Sequence, residues 1–306
     1  MGLETKFCGL KMRNPLVLSP GILGINAQQM IRVARIGAGA ITTKTLGPKE
    51  REGNNNPTVI SWEHGLLNAV GLSNAGYKNC DHKFEELKEL KKIGAPLIVS
   101  IFGENKKQFA EIAEYVASKK PDAIELDVSC PNQSKSSNME FAAVPEAAAS
   151  VVSEVKKVTE KIPVIIKLTP ACNSPVMVAK ACEEAGADAF SAANTMPGMI
   201  INIDARRPVL HFKKGGMSGP ALKPINLKIV YELYENIKVP IIGGGGINTG
   251  KDAIEYIMAG ATLCGIGSGV YYRGIGVFAE VNQEIEKWME ENKVKKLDEI
   301  RGAAHE

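Results

Sequence analysis

The sequence has no Cys-x-x-Cys pair, no long uninterrupted apolar run and no excess of charge of one sign. Its six cysteines, Cys8, Cys80, Cys130, Cys172, Cys182 and Cys264, are scattered over 306 residues. That spacing argues against structural zinc, a disulfide framework and an iron–sulfur cluster held by this chain alone. A reducing, cytoplasmic setting is the expectation. Residues 1–11 have no basic stretch leading into an apolar core, so a secretory leader is not expected. The longest nearly apolar stretch, 253–270, is broken by Glu255 and four glycines and reads as a helix followed by a strand, not as a membrane span. Lys and Arg number 37 against 34 Asp and Glu, a net charge of +3 with the signs mixed along the chain. No nucleic-acid or membrane-surface footprint is expected from that balance.

What is present is the composition of a globular protein, 44% hydrophobic and 23% charged, which excludes disorder. A chain of this length buries roughly 75% of the surface its unfolded form exposes, so it needs no covalent staples. Short apolar or β-branched runs recur at 15–18, 39–44, 97–102, 123–128, 164–168, 189–193, 239–243 and 262–266. Most are too continuously apolar for a sheet wetted on one face, which points to parallel strands buried on both sides. Amphipathic stretches lie between them. Residues 81–93 place Phe84, Leu87, Leu90 and Ile93 at helical spacing, 105–118 place Phe109, Ile112, Ala113 and Val116, and 145–157 follow the same period. Asn173 and Ser174 before Pro175 read as a helix start, and Gly37, Gly186 and Gly260 as helix ends. Eight strand–helix repeats predict a (β/α)8 TIM barrel, one domain over 1–306. An open Rossmann-type sheet is the alternative, but no Gly-x-Gly-x-x-Gly follows the first strand. Two connections, 46–79 and 195–223, are long and follow the C-terminal ends of strands, where barrels build active sites.

Glycines cluster on the last two strands, as Ile241-Ile-Gly-Gly-Gly-Gly-Ile247 and Cys264-Gly-Ile-Gly-Ser-Gly269. They either cradle a phosphate on backbone amides, with Ser268 adding a hydroxyl, or only relieve crowding at the barrel rim. Cys130 stands just past the fourth strand, before Pro131 and among Asp127, Ser129 and Asn132. It reads as a rim thiol able to act as nucleophile or base, or as a buried apolar cysteine. Lys44 and Lys167 end apolar runs, where an ammonium must find an anion. That anion is a ligand or a barrel carboxylate such as Asp127 or Glu125. The segments 68–74 and Asn194-Thr195 offer amides and hydroxyls able to read a planar, amide-like ring.

In these residues the chain resembles class 1 dihydroorotate dehydrogenases, most closely the catalytic subunit of the class 1B enzymes. The resemblance runs through Lys44-Thr45, Asn68 to Asn74, Ser129-Cys-Pro-Asn132, Lys167, Asn194-Thr195, Gly216-Met-Ser-Gly-Pro-Ala-Leu-Lys-Pro224, Gly245-Gly246 and Gly267-Ser268. It implies an FMN-binding TIM barrel that oxidises (S)-dihydroorotate to orotate in pyrimidine synthesis. Cys130 would be the base, and Lys167 would sit near the flavin. Ser19, Lys44, Thr45, Ser100, Asp127, Ala193, Gly219, Gly245, Gly246, Gly267 and Ser268 would complete the cofactor site. Lys44, Asn68, Ala69, Val70, Gly71, Leu72, Asp127, Asn132, Asn194 and Thr195 would bind the substrate. The resemblance also implies a homodimer that passes electrons to a separate subunit carrying FAD and a [2Fe–2S] cluster, and thence to NAD. Three features depart from the family pattern: Asp127 and Ser100 stand where the family usually has asparagine, and 133–144 lack its glycines. A carboxylate cannot donate a hydrogen bond unless protonated, which keeps open a related flavin enzyme acting on another pyrimidine-like substrate.

Overall fold

The structure, a computed structural model, describes residues 2–128, 141 and 143–306. An N-terminal hairpin, β1 (Thr5–Phe7) and β2 (Leu10–Met12), precedes the strand β3 (Leu16–Leu18), helix α1 (Ala27–Ile36) and β4 (Ala40–Thr42). Then come β5 (Val59–Trp62), β6 (Gly65–Asn68), α2 (Asp81–Leu87), α3 (Glu89–Ile93), β7 (Leu97–Ile101), α4 (Lys106–Ser118) and β8 (Ala123–Asp127). The chain continues through α5 (Pro145–Thr159), β9 (Val164–Lys167), α6 (Pro175–Glu184), β10 (Ala189–Ala192), β11 (Met196–Gly198), β12 (Ile201–Asn202), β13 (Arg207–Pro208) and β14 (Gly215–Ser218). It ends with α7 (Lys223–Asn236), β15 (Ile241–Gly244), α8 (Gly250–Met258), β16 (Leu263–Ile266), α9 (Gly269–Arg273) and α10 (Val277–Glu291).

Strands β3, β4, β7, β8, β9, β10, β15 and β16 close into a parallel barrel in chain order, β16 pairing back onto β3. These are the eight runs expected from the sequence. Continuous apolar character was the signal because each strand is covered inside by barrel filling and outside by helices. Four helices, α1, α4, α6 and α8, start at a side-chain cap. Ser174 accepts a hydrogen bond from the Met177 N–H, and Thr249 and Asp252 form a reciprocal capping box on α8. The segment 81–93, expected as one helix, is divided at Lys88, whose N–H bonds back only three residues to the Glu85 carbonyl at 3.3 Å. The turn tightens there, while Leu87 and Leu90 stay buried on one face.

The two long connections do not run as irregular loops. They contribute β5 and β6 from one and β11 and β14 from the other to a single four-stranded antiparallel sheet, in the order β11-β14-β6-β5. At the opposite end, Phe7 and Met12 of the β1–β2 hairpin plug the barrel floor.

Candidate active site at the barrel mouth

Side chains along a strand alternate between the barrel interior and the helix layer. One inward residue from each stave, Val17, Ala40, Ile98, Ala123, Ile165, Ala189, Ile242 and Leu263, joins a single buried apolar cluster. Two residues further along every stave the character changes, to Ser19, Thr42, Ser100, Glu125, Lys167, Ser191, Gly244 and Gly265. All of these except Ser100 border a cavity of about 460 Å³ at the C-terminal mouth. The barrel is therefore greasy at its floor and polar one layer up, where strand ends face the mouth.

Of the residues expected to hold cofactor or substrate, the cavity is lined by Ser19, Lys44, Thr45, Asn68, Val70, Gly71, Leu72, Asp127, Lys167, Ala193, Asn194, Thr195, Gly245, Gly246, Gly267 and Ser268. Three others stand behind this lining. Ser100 is fully buried, its Oγ donating to Glu125 Oε1 at 3.0 Å and lying 3.1 Å from Thr45 Oγ1. Ala69 is packed under the antiparallel sheet with Leu67 and Leu210. Gly219 backs onto Gly246, where an added Cβ would come within 2.7 Å of the Gly219 carbonyl oxygen. Cys130 and Asn132 lie outside the described residues. Lys44 sits two residues past the end of β4 and not on the strand, its N–H bonded to the Gly24 carbonyl at 2.9 Å.

The antiparallel sheet brings distant amides together. Asn68 on β6 pairs with Gly216 on β14 and donates from Nδ2 to its carbonyl at 3.1 Å. A Cβ on Gly216 would collide with the Thr195 hydroxyl, so glycine lets Thr195 sit against β14, the strand that pairs with the one carrying Asn68. Asn194 Oδ1 accepts from the Thr195 N–H at 2.7 Å, which fixes that pair.

Glycine also shapes the far wall. Gly245 has φ +122°, its carbonyl accepts from Tyr256 Oη at 2.9 Å, and a side chain there would strike the Asn226 amide. Asn226 on α7 is fully buried and donates from Nδ2 to the carbonyls of Gly244 (2.7 Å) and Ala193 (3.3 Å). It ties the ends of β10 and β15 together. A buried asparagine inside a helix was the one available signal for it, and a weak one.

Among the described residues, Lys44 and Lys167 are the lysines bordering the cavity, and Glu125 and Asp127 the carboxylates. Lys223 on the same rim is held by Asp252 at 2.7 Å and Glu255 at 2.9 Å, outside the cavity lining. Asp127 and Lys167 are register partners on β8 and β9. Burial pushes the Glu125 carboxyl above the usual carboxylate range; Lys167 opposes this, Asp127 adds to it, and the Ser100 and Ser191 hydroxyls oppose it. Ser191 was not expected at the site, and Glu125 only as a carboxylate partner for a lysine, although their alternation with Ala123 and Ala189 assigns both to the interior.

A closed parallel barrel whose mouth joins side-chain-free strand ends to two lysines defines an α/β-barrel enzyme suited to an anionic, phosphate-bearing ligand. The particular family follows from comparison with known proteins. The family model described as dihydroorotate dehydrogenase matches residues 2–289, and the chain belongs to that family. It is 43% identical over 305 residues to a protein of Methanocaldococcus jannaschii, covering 99% of this chain and 98% of that one. It is 43% identical over 304 residues to one of Thermococcus kodakarensis, with 99% and 98% covered. With one of Methanosarcina mazei the identity is 42% over 299 residues, covering 97% and 94%. All three relatives are named dihydroorotate dehydrogenase B (NAD(+)), catalytic subunit.

Proposed function

We propose that this chain oxidises (S)-dihydroorotate to orotate with FMN at the barrel mouth, as the catalytic subunit of an NAD-linked assembly in pyrimidine synthesis. The observation that carries this reading is the convergence of Lys167 from a stave and Lys44 from just beyond another with Asn68 and Asn194-Thr195 from two distant segments on one cavity. The residues present fit the cofactor. Gly244, Gly265 and Gly267 leave the rim bare beside the Ser19 and Ser268 hydroxyls, and a Cβ on Gly265 would come within 2.9 Å of Ser19 Oγ. A side-chain-free rim and two hydroxyls suit a phosphate, and Lys167 suits a ring that gains negative charge.

FMN, when bound, supplies the acceptor for the hydrogen leaving C6 as hydride. The rest falls to the chain. Cys130 takes the C5 proton onto Sγ, a role resting on its Ser-Cys-Pro-Asn setting. Lys44 holds the substrate carboxylate, and Asn68, Asn132, Asn194 and Thr195 orient the ring through its amide edges. The β5–β6 and β11–β14 strands, pairing with one another, exclude water from the reacting face. The relatives' designation as a catalytic subunit supports a separate electron-transfer partner. We assign FAD and a [2Fe–2S] cluster to that partner. The chain itself acts as one domain over 1–306, as a homodimer in the cytoplasm. Among the described residues no helix is long and apolar enough to cross a membrane.

A second reading, in which the substrate is another pyrimidine-like amide, is favoured by Asp127, which puts a buried carboxylate on the cavity wall. One spectroscopic experiment separates the two. The purified protein should be yellow and should bleach anaerobically on adding dihydroorotate. Cys130→Ala should slow bleaching by about 100-fold or more while flavin stays bound. A colourless protein that takes up no FMN overturns the cofactor assignment, and an unchanged rate in the variant removes the base. Slow bleaching that Asp127→Asn accelerates favours the second reading; rapid bleaching in the unaltered protein ends it.

A further inference from the structure

Glu125 is the one carboxylate in the polar ring of the barrel interior, and neither the hydride nor the proton transfer described above uses it. Its side chain borders the cavity while the residue is only 2% exposed. Ser100 Oγ donates to its Oε1 at 3.0 Å, and Thr45 Oγ1, on the cavity wall, lies 3.1 Å from Ser100 Oγ. A chain of two hydroxyls thus leads from the wall to the carboxyl, behind the surface a ligand would cover.

The groups facing Glu125 come from every element around it. Strand β7 offers the neutral Ser100, β9 offers Lys167, and β10 offers the neutral Ser191. Glu125's own strand adds Asp127, and Lys44 borders the same cavity beyond β4. Among the described residues the lining holds two lysines and one other carboxylate, so the charge presented to a ligand depends on whether Glu125 holds a proton. Burial, with Asp127 alongside, places that carboxyl where protonation is easier than in water. Negative charge arriving above it in a dry cavity acts far more strongly than it would through solvent.

We propose that Glu125 takes up one proton when the flavin is reduced, so that the charge of the cavity floor follows the redox state of the cofactor. This rests on the FMN reading above. The hydride carries both electrons to the flavin. A second proton, released by hydronium at the solvent side and passed along the Thr45–Ser100 hydroxyls, forms the O–H bond on Glu125 Oε1. Glu125 is here a positioning group for charge, not a catalytic residue.

The test is an anaerobic redox titration of the FMN-loaded protein across pH. Each proton taken up in a two-electron couple moves the midpoint potential by about 30 mV per pH unit. Over the pH interval in which Glu125 is ionised with oxidised flavin and protonated with reduced flavin, the unaltered protein should show one more proton's slope than Glu125→Gln. Above that interval the variant's potential should be the higher, because it lacks the repelling carboxylate. Equal slopes at every pH overturn the proposal. Should Glu125→Gln fail to retain flavin, infrared difference spectra of the unaltered protein decide. Reduction must raise a protonated-carboxyl C=O band that shifts in Ser100→Ala. No band, or a band that Ser100→Ala leaves in place, overturns it. A protein that binds no flavin fails the FMN reading, an outcome visible before any titration.

Discussion

Two rings of inward side chains, set two residues apart on the same eight strands, carry opposite chemistry. The lower ring, from Val17 and Ala40 round to Leu263, is apolar and sealed by Phe7 and Met12. The upper ring, from Ser19 and Thr42 round to Gly265, is polar or bare and opens on the cavity. Backbone pairing continues through both, so the sheet does not distinguish them. The difference is what lies above each ring: packed side chains over most of the lower, where only Val17 and Ile242 among the described residues reach the cavity, and a ligand space over the upper. Stability in the lower ring comes from area removed from water, and in the upper ring from charges and hydroxyls satisfying one another.

The largest disturbance expected is to carry upper-ring chemistry down one step. Ile165→Lys places an ammonium in the apolar cluster two residues below Lys167 and should cost at least about 4 kcal/mol, read as a lower urea midpoint. A loss under about 1 kcal/mol would mean that water reaches the lower ring. Ser100→Ala comes next. It removes the donor to Glu125 Oε1 from a fully buried site and should cost about 2 kcal/mol, with weakened flavin retention measured by dialysis. Ile98→Val, two residues earlier on the same strand, should cost only about 1 kcal/mol and leave flavin retention unchanged. Equal effects of these two substitutions on flavin would erase the distinction between the rings.

The pH dependence of stability sharpens the contrast without changing the packing. Burial first, then Asp127, raises the Glu125 carboxyl in the folded chain, against the pull of Lys167. A raised folded-state pKa favours the folded protein below the ordinary glutamate value of about 4.3. That contribution is lost as pH climbs through the raised value. Unfolding midpoints of the unaltered protein should therefore fall with rising pH relative to Glu125→Gln. A difference between the two proteins that stays constant with pH would show that Glu125 does not titrate on folding. Asp252, at the start of α8, has the opposite sign. Burial raises it, but Lys223 and the N–H groups of Asn248 and Thr249 outweigh this, so its stabilisation is present near neutrality and is lost on acidification.

The staves were legible because each is a short apolar run held between turn or helix signals, whatever it pairs with. The antiparallel sheet over the mouth was not. Met196–Gly198 and Gly215–Ser218 are short and glycine-rich, and Asn68 finds Gly216 across 148 residues of chain. No local pattern records a pairing of that separation. Ser100 was expected to touch the cofactor, yet its hydroxyl faces Glu125; the strand pattern assigns it to the interior but not to a level. Lys88 divides a helix whose apolar period runs straight through the break, because period reports a face and not a hydrogen-bond ladder.

By itself the sequence determined the eight staves, the helix start at Ser174, the side-chain-free rim at Gly245 and Gly267, and the family. Each of these is written in neighbouring residues or in a motif. Tertiary structure alone decided that Glu125 shares a cavity with Lys44 and Lys167, that Asn226 ties two strand ends, and that two remote segments meet as one sheet. Those facts depend on barrel closure, which sets the height of every inward side chain relative to those on strands far away in the chain.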